Sequence, residues 1–265
     1  MDLDHARTVA VEAAEAAGAL IREGTRRSLR VHAKGDAGDV VTDLDLASEK
    51  LLLERILTAF PSHAVIAEES GLNGAAGCEW TWLVDPLDGT NNIAIGLPAY
   101  VVGVALCRAW PQLGVVHDPV SAQTWSAIKG RGALASSGRR LSAPYAPSPH
   151  GPLLAWIQGY GIARDDATVL RLKSALDLHA RRVLQLWTPL LSWAMLARGD
   201  IDGIVGYRTG VVDLPAGALL AQEAGIEIRA LDGGPYDERI QGAADERSYV
   251  AAHPRALPGL LALLQ

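Results

Sequence analysis

The chain has 265 residues, 49% of them hydrophobic and 20% charged, which is enough for one large domain or two joined ones with a substantial core. Its formal net charge of −6 and the lack of any basic run longer than a pair argue against a general nucleic-acid-binding protein. The two cysteines, Cys78 and Cys107, fit neither a zinc site nor a disulfide framework, so we expect two reduced thiols.

The N-terminal segment is acidic at Asp2 and Asp4, and it lacks the apolar stretch of a signal peptide. Nowhere in the sequence is an apolar run long enough to span a bilayer. We therefore expect a cytoplasmic protein that does not associate with membranes.

Two amphipathic helices are predicted in the first part of the chain. Small apolar residues recur at helical spacing over residues 4–24, and Gly24 is a suitable end for this helix. A second helix can be capped by Thr42 or Asp43, and Pro61 stops it.

Short apolar runs bounded by turn residues then predict a series of strands, the last three forming an antiparallel meander. These runs are residues 64–67, 80–84, 100–109, 113–117 and 124–128.

The second half alternates between strand and helix patterns after a segment rich in Pro and Ser at residues 143–152. Strands are predicted at 153–157, 182–186, 202–205 and 249–252, and helices at 165–178, 189–198, 214–224 and 255–264. The interpretation is an α/β (α+β) protein with mixed sheets and helical layers. Residues 1–145 and 146–265 are expected to be two regions of one compact unit.

The stretch from Trp82 to Asn92 contains two carboxylates, Asp85 and Asp88, directly after an apolar run. The run is typical of a buried strand, so Asp85 is predicted to lie where that strand leaves the sheet. Pro86 and Gly89 favour a stiff, tight loop, which leaves nearby backbone amides free to bind an anion. Carboxylates beside such amides indicate a metal-dependent phosphate site.

Several further carboxylates follow short apolar runs or lie on the N-terminal polar stretch. A single Asp at a strand end is more typical of a turn or cap, but buried like charges in one place require a cation. Oxygen ligands without His or Cys favour Mg²⁺ and exclude a typical zinc site. The candidates are Asp39, Asp43, Asp45, Glu68, Glu69, Asp85, Asp88 and Asp213.

Three other site types fit the central stretch poorly. An EF-hand is excluded because Leu87 and Gly96 occupy ligand positions, and the chain has no P-loop motif. A phosphatase with an aspartyl nucleophile would resemble an Asp-x-Asp signature, whereas this spacing is Asp-x-x-Asp; Asp43 and Asp45 keep that alternative open.

Five segments resemble, in order and spacing, the inositol monophosphatase family of Mg²⁺-dependent, lithium-sensitive phosphatases. Residues 85–92 resemble the first family signature, and residues 212–217 resemble the second. The other three segments are 34–49 with Asp39, Thr42 and Asp45 in register, 67–70, and 129–133. The resemblance covers about residues 5–260 and implies a layered α-β-α-β-α sandwich of the inositol monophosphatase and fructose bisphosphatase type.

The resemblance also implies two or three Mg²⁺ ions per site. Their ligands would be Glu68, Asp85, Asp88, Asp213 and the backbone carbonyl of Leu87.

Residues around the ions receive roles from the same resemblance. Gly89 and Thr90 would present their amides to the phosphate of the substrate. The Thr90 hydroxyl and Asp45 would orient and deprotonate the attacking water, and Glu69 would hold a water or a metal ligand in place.

The chain departs from the family pattern where the substrate would bind. Gly206 stands where many inositol phosphatases carry a Glu that holds a sugar hydroxyl, and Trp187 stands at a glycine position. Trp187 either changes the shape of the pocket or points into the core. The candidate substrate-binding residues are Asp88, Trp187, Thr188, Tyr207 and Arg208, with Trp156 and Tyr160 added on loop position.

These features predict a phosphoric monoester hydrolase that uses Mg²⁺ and acts on a small phosphorylated polyol, sugar, cyclitol or nucleoside. The alternatives are an inositol monophosphatase proper, a histidinol-phosphatase, a 3′-nucleotidase, and a catalytically silent relative that binds a phosphorylated ligand. The absence of the hydroxyl-binding Glu favours a substrate other than plain inositol phosphate. We expect no nucleic-acid polymer as partner, and the resemblance allows a homodimer.

Overall fold

The computed structural model describes residues 1–27, 29–34, 38–75, 77–240 and 247–265. Residues 35–37 of the predicted segment 34–49 lie outside these ranges. No helix in the described part of the chain is long and apolar enough to cross a membrane. Both Cys78 and Cys107 are free thiols.

The N-terminal region consists of two helices and a hairpin. Helix α1 (Leu3–Gly24) is capped by the side chain of Asp2 and buries a row of alanines. A hairpin of β1 (Val31–Lys34) and β2 (Asp39–Thr42) leads into α2 (Asp43–Ala59). The predicted cap is confirmed at Thr42, and α2 ends before Pro61 as expected.

A seven-stranded sheet follows, with the strand order β4-β3-β5-β6-β7-β8-β9. Strand β3 is parallel to β5, while the other neighbours are antiparallel, which confirms the predicted meander. The strands are β3 (Ala64–Ala67), β4 (Gly71–Gly74), β5 (Thr81–Asp88), β6 (Val101–Arg108), β7 (Trp110–Asp118), β8 (Gln123–Ile128) and β9 (Gly132–Ala135). A one-turn helix, α3 (Thr90–Ala94), connects β5 to β6.

The second half forms a five-stranded mixed sheet with the order β11-β10-β12-β14-β13. Its strands are β10 (Leu153–Gln158), β11 (Arg182–Leu184), β12 (Gly203–Tyr207), β13 (Glu227–Ala230) and β14 (Tyr249–Ala252). Its helices are α4 (Ala167–His179), α5 (Pro189–Arg198), α6 (Pro215–Glu223) and α7 (Leu257–Leu263). Along the chain, the strands of the first sheet precede the Pro- and Ser-rich segment at residues 143–152, and those of the second sheet follow it. A domain boundary at residue 145 stays a prediction.

Three hydrophobic clusters join these elements into five layers. One cluster packs α1 and α2 on one face of the seven-stranded sheet, and a second fills the space between the two sheets around α5 and α6. The third packs α4 and α7 on the outer face of the five-stranded sheet. Because side chains alternate along a strand, neighbours such as Leu83 and Val84 enter different clusters. The predicted α/β class and α-β-α-β-α layering are confirmed.

Strand β5 differs from its prediction, because it does not end at Asp85. It continues to Asp88 through an irregularity in which Asp85 pairs with Gly103 and Asp88 pairs with Val101. An extra residue on one strand bends it and changes the direction of its side chains. The predicted end at Asp85 is therefore wrong, because pairing with β6 carries the strand past Pro86. The short elements β1, β4, α3, β9 and β13 were not predicted.

Helix α6 packs unusually closely on the seven-stranded sheet, and Gly114 of β7 makes this possible. A Cβ atom at this glycine would lie 2.5 Å from the backbone oxygen of Ala216, near the start of α6. The contact holds the segment that begins at Asp213 against the sheet that carries Asp85.

We expect Gly114→Ala to lower the free energy of unfolding by about 1–3 kcal/mol, because the added methyl group must push α6 away from β7. Chemical denaturation measures this change. Gly259→Ala is the control, since nothing lies within 4 Å of a Cβ there, and it should stabilise α7 by about 0.5–1 kcal/mol. Equal stability of the Gly114 variant and the parent would contradict the packing.

Candidate functional site

A cavity of about 540 Å³ is lined by residues from both sheets and their connections. It brings together Glu68, Asp85, Leu87, Asp88, Gly89, Thr90 and Asp213 from the predicted metal and phosphate site, and Trp156, Tyr160, Trp187, Thr188 and Arg208 from the predicted substrate residues. Residues that are far apart in the chain therefore line the same cavity. This cavity is the candidate functional site.

Asp45 and Thr90 form a hydrogen-bonded pair beside this cavity. The Thr90 hydroxyl donates to Asp45 Oδ1 over 2.6 Å, and the amide of Thr42 donates to Asp45 Oδ2 over 2.8 Å. Asp45 takes this position because it is the third residue of α2, where it completes a capping box with Thr42. Burial raises the pKa of Asp45 above its ordinary value, although the bonds from Thr42 and Thr90 oppose the shift. The pair places a proton acceptor behind the Thr90 hydroxyl.

Four carboxyl groups in the cavity influence one another strongly. Burial, followed by the charges of Glu68, Asp88 and Asp213, raises the pKa of Asp85 well above its ordinary value. Burial and the charge of Asp213 also raise the pKa of Asp88 well above its ordinary value. The same two causes raise the pKa of Glu68 to about 7. The pKa of Asp213 rises to about 6 through burial. Shifts of this kind are typical of carboxylates that are gathered to share a cation or a proton.

Lys34 pairs with two of the predicted site residues. Its ammonium group lies 2.8 Å from Glu68 Oε1 and 2.6 Å from Glu69 Oε1. Burial alone would lower the pKa of Lys34, but the two carboxylates raise it above its ordinary value. The charge of this lysine partly offsets the repulsion among the carboxyl groups.

The candidate ligands meet the chemical requirements of Mg²⁺. All the candidate ligands are oxygens, several are buried, and Glu68 lies within hydrogen-bonding reach of Asp85, which fits a hard divalent cation. As they stand, however, no three His, Cys, Asp or Glu side chains in the described ranges have the spacing of a complete metal site. The ligand chemistry of these oxygens fits Mg²⁺.

Two residues of α2 support this site, and the sequence pattern did not single out their roles. The buried carboxylate of Glu49 accepts hydrogen bonds from the amides of Glu69 at 2.8 Å and Ser70 at 3.0 Å. The Ser48 hydroxyl donates to the carbonyl of Pro86 over 2.8 Å. These contacts fix the loop after β3 and the irregular part of β5. Both residues lie one helical turn beyond Asp45, and that spacing is the only sequence signal that could have indicated them.

Asp88 is also the cap of a distant helix. Its Oδ2 accepts a hydrogen bond from the amide of Leu190 at 2.6 Å and from the Thr188 hydroxyl at 2.9 Å. Thr188, the residue preceding α5, makes no side-chain cap of its own. A carboxylate at a helix N-terminus satisfies free amides and interacts favourably with the helix dipole. The Thr188 hydroxyl, predicted to contact substrate, is therefore already bonded to Asp88.

The turn between β5 and α3 depends on a glycine. Gly89 has φ of +109°, and a Cβ there would lie 2.7 Å from the carbonyl oxygen of Ala99. Thr90 is the first residue of α3, so its amide precedes the intrahelical hydrogen bonds. The side chain of Asn92 donates to the carbonyls of Ala99 at 2.6 Å and Leu186 at 2.5 Å, which ties this turn to the segment before Trp187.

The candidate substrate residues are placed differently from one another. Trp187 is 54% exposed at the cavity, so the alternative that it points into the core is wrong. Tyr207 does not line the cavity: its ring belongs to the cluster under α4 and α7, and its hydroxyl lies 3.4 Å from Asp166. The alternation of β12 decides this, because Tyr207 shares a face with Val205. Arg208 lines the cavity next to it.

The space beside Gly206 is filled. A Cβ atom there would lie 2.3 Å from Cζ of Tyr249, its partner across the antiparallel pair of β12 and β14. The Tyr249 ring is fully buried and packs 5.3 Å from the ring of Trp193. A Glu could not replace this glycine without displacing the tyrosine.

The chain matches the model of the "Inositol monophosphatase family" over residues 2–265. It is 35% identical to "Nus factor SuhB" of Pseudomonas aeruginosa over 229 residues, which are 82% of each chain. It is 32% identical to "Inositol monophosphatase 1" of Solanum lycopersicum, with 89% of this chain and 88% of the relative covered. Among solved structures, it resembles the inositol monophosphatase from Anabaena with a TM-score of 0.83 and 29% identity, over 100% of this chain and 96% of that one.

We expect a double-mutant cycle to detect the contact between Gly206 and Tyr249. Gly206→Ala should cost about 1–3 kcal/mol of unfolding free energy in the parent, because its methyl group meets the ring. In a Tyr249→Ala background, where the ring is gone, the same change should cost clearly less. Denaturant titration of the four proteins measures the coupling, and additive effects would show that the ring does not occupy this space.

The raised pKa values predict how stability depends on pH in the presence of chelator. A carboxyl group with a higher pKa in the folded state binds more protons there, so its contribution to stability is lost as pH rises. Between pH 6.5 and 8.5, the pKa near 7 of Glu68 alone implies a loss of about 1 kcal/mol, and Asp85 and Asp88 add to it. Thermal unfolding at the two pH values measures the loss.

Saturating Mg²⁺ should remove most of this loss, and Asp85→Asn should reduce it in chelator. Asp165→Asn, on an exposed turn, is the matched control and should leave the pH dependence unchanged. Burial lowers the pKa of His63 and His117, so these two groups make stability rise with pH around pH 6.5 and offset part of the loss. The comparison of the parent with Asp85→Asn in chelator removes their contribution, and an equal pH dependence of the two proteins would contradict the mutual repulsion of the carboxylates.

Proposed function

The chain belongs to the inositol monophosphatase family, and we propose that it is a Mg²⁺-dependent phosphomonoesterase acting on a small phosphorylated alcohol. Family membership supports a phosphatase of this superfamily. The names of its relatives differ, since some are called phosphatases and others Nus factors, so the catalytic role is argued from the residues of this chain.

One observation supports the proposal most directly. The bonded pair of Thr90 and Asp45 lies beside the group of buried carboxyl groups that includes Asp85 and Glu68. A relative that only bound a phosphorylated ligand would not need a proton acceptor aligned with a hydroxyl at this place. Every proposed ligand and both members of the pair are retained in this sequence.

The proposed ligands are Glu68, Asp85, Asp88, Asp213 and the carbonyl of Leu87, which would hold two or three Mg²⁺ ions. When bound, Mg²⁺ supplies the positive charge that neutralises the phosphate of the substrate and makes water more acidic. Positive charge of this kind also explains how an acidic protein could bind a dianionic ester.

The residues of the chain would orient the water and accept its proton. With its own proton donated to Asp45, the Thr90 hydroxyl oxygen can accept a hydrogen bond from the attacking water. Asp45 would then receive a proton through that hydroxyl, since the two oxygens are 2.6 Å apart. The amides of Gly89 and Thr90 would bind phosphate oxygens, and Glu69 would hold a water in place. The water would attack in line, so that no covalent enzyme intermediate is needed.

The substrate is proposed to differ from plain inositol phosphate. The filled space at Gly206 supports this, because a Glu that accepts a hydroxyl hydrogen bond has no room beside Tyr249. Phosphorylated sugars, cyclitols and nucleosides remain as substrate classes, with histidinol phosphate and nucleotide 3′-phosphates among them. Cytoplasmic location and a homodimer stay predictions.

Phosphate release from a panel of phosphomonoesters tests the enzyme proposal. We expect release with Mg²⁺, none with chelator, and a loss of about 10²-fold or more in kcat for Thr90→Val, which removes the hydroxyl but keeps the shape. Asp85→Asn should abolish most of the activity because it removes a shared ligand charge. Thr58→Val, at an exposed threonine on α2, is the matched control and should behave as the parent.

Three results would defeat this mechanism: release that persists in chelator, full activity of Asp85→Asn, or an unchanged kcat for Thr90→Val. Absence of release from every ester in Mg²⁺, with the fold intact by circular dichroism, would instead favour the silent phospho-ligand-binding alternative.

A further inference from the structure

Trp187 has a conformation and an exposure that packing does not explain. Its φ of +54° lies in the left-handed region, which bulky residues adopt rarely. Its side chain is 54% exposed although it lines the cavity. A large aromatic side chain that is neither buried nor in a relaxed backbone conformation indicates a functional constraint.

The backbone on both sides of Trp187 is fixed by the turn that carries the proposed phosphate-binding amides. Asn92 donates to the carbonyl of Leu186 over 2.5 Å, and Asp88 accepts from the Thr188 hydroxyl over 2.9 Å. Asn92 and Thr188 are buried. The backbone that carries the indole ring is therefore held at a set position relative to Asp88 and Asn92.

A second exposed aromatic ring lines the described cavity wall together with Trp187. Tyr160 is 61% exposed there. The wall also carries polar groups, among them Asp39, whose Oδ1 accepts from the amide of Val40 at 2.9 Å and from Asn91 at 3.4 Å. At Gly206, the Glu that holds a sugar hydroxyl in many inositol phosphatases is missing, so the two rings are the feature that sets this cavity apart.

From these contacts, the geometry points to a substrate whose alcohol part carries a flat aromatic or heteroaromatic ring that stacks on Trp187. The inference rests on the proposed phosphatase activity and names the substrate class for that site. Aromatic side chains bind flat rings by offset stacking and gain contact area with little loss of side-chain freedom. Trp187 is thus a specificity-determining residue of the cavity.

Two esters that differ mainly in ring planarity test the inference: benzyl phosphate and cyclohexylmethyl phosphate, which have similar alkoxide leaving groups. We expect the parent protein to prefer benzyl phosphate at least tenfold in kcat/KM. The preference should fall below about threefold in Trp187→Gly and largely return in Trp187→Phe. Turnover of glycerol 2-phosphate, which has no ring, should fall much less than that of benzyl phosphate in Trp187→Gly.

The variant Trp187→Gly is chosen because glycine adopts positive φ freely, so we expect its melting temperature to stay the same or rise. Trp110→Ala removes another exposed tryptophan, 48% exposed on β7 and outside the cavity, and should leave the preference unchanged. An equal loss on glycerol 2-phosphate in Trp187→Gly would overturn the inference, as would a parent preference for cyclohexylmethyl or inositol phosphate.

A binding measurement separates this inference from the proposed activity. Calorimetric titration of the Mg²⁺-loaded Asp45→Asn/Thr90→Val protein, which keeps every proposed ligand, with benzyl phosphate should show binding that weakens at least fivefold when Trp187→Gly is added. If no ester is hydrolysed but this weakening occurs, the inference stands and the phosphatase proposal fails. If esters are hydrolysed and binding does not depend on Trp187, the inference fails while the phosphatase proposal stands.

Discussion

Electrostatic repulsion among buried carboxyl groups is the constraint on which the rest of this structure depends. Burial and the negative charges of neighbouring carboxylates raise the pKa of four groups: Glu68, Asp85, Asp88 and Asp213. Such a group destabilises the folded chain unless a cation or protons neutralise it. The fold tolerates this cost because the groups come from elements held by independent contacts, including the close approach of α6 to β7 at Gly114.

The same acidic residues and their neighbours also hold the framework together. Asp88 caps α5, Asp45 completes the cap of α2, and Glu49 binds the loop after β3. Asp88 and Glu49 therefore join distant elements, and Asp45 joins α2 to Thr90. A substitution at these positions affects both the proposed chemistry and the packing.

The family pattern is retained in one part of the site and not in another. Residues 85–92, Asp213 and the neighbouring Asp45 are those expected of the family, whereas Trp187 at the cavity and Gly206 on β12 depart from it. The departures are structurally linked to the retained part, since Asn92 and Asp88 hold the backbone around Trp187. The backbone that carries Trp187 is thus fixed by residues of the turn that retains the family pattern.

Local patterns along the chain were sufficient for the fold class, for α1, α2 and α5, and for the grouping of acidic residues around Asp85, because periodicity, caps and signatures involve neighbouring positions. Contacts between distant residues decided the remainder. The pairing of β5 with β6 carries the strand to Asp88, and the alternation of β12 turns Tyr207 away from the cavity. The bond from Leu190 to Asp88 joins residues 102 positions apart. The Tyr249 ring fills the space beside Gly206 because β12 and β14 are paired in that register, and no local pattern contains this information.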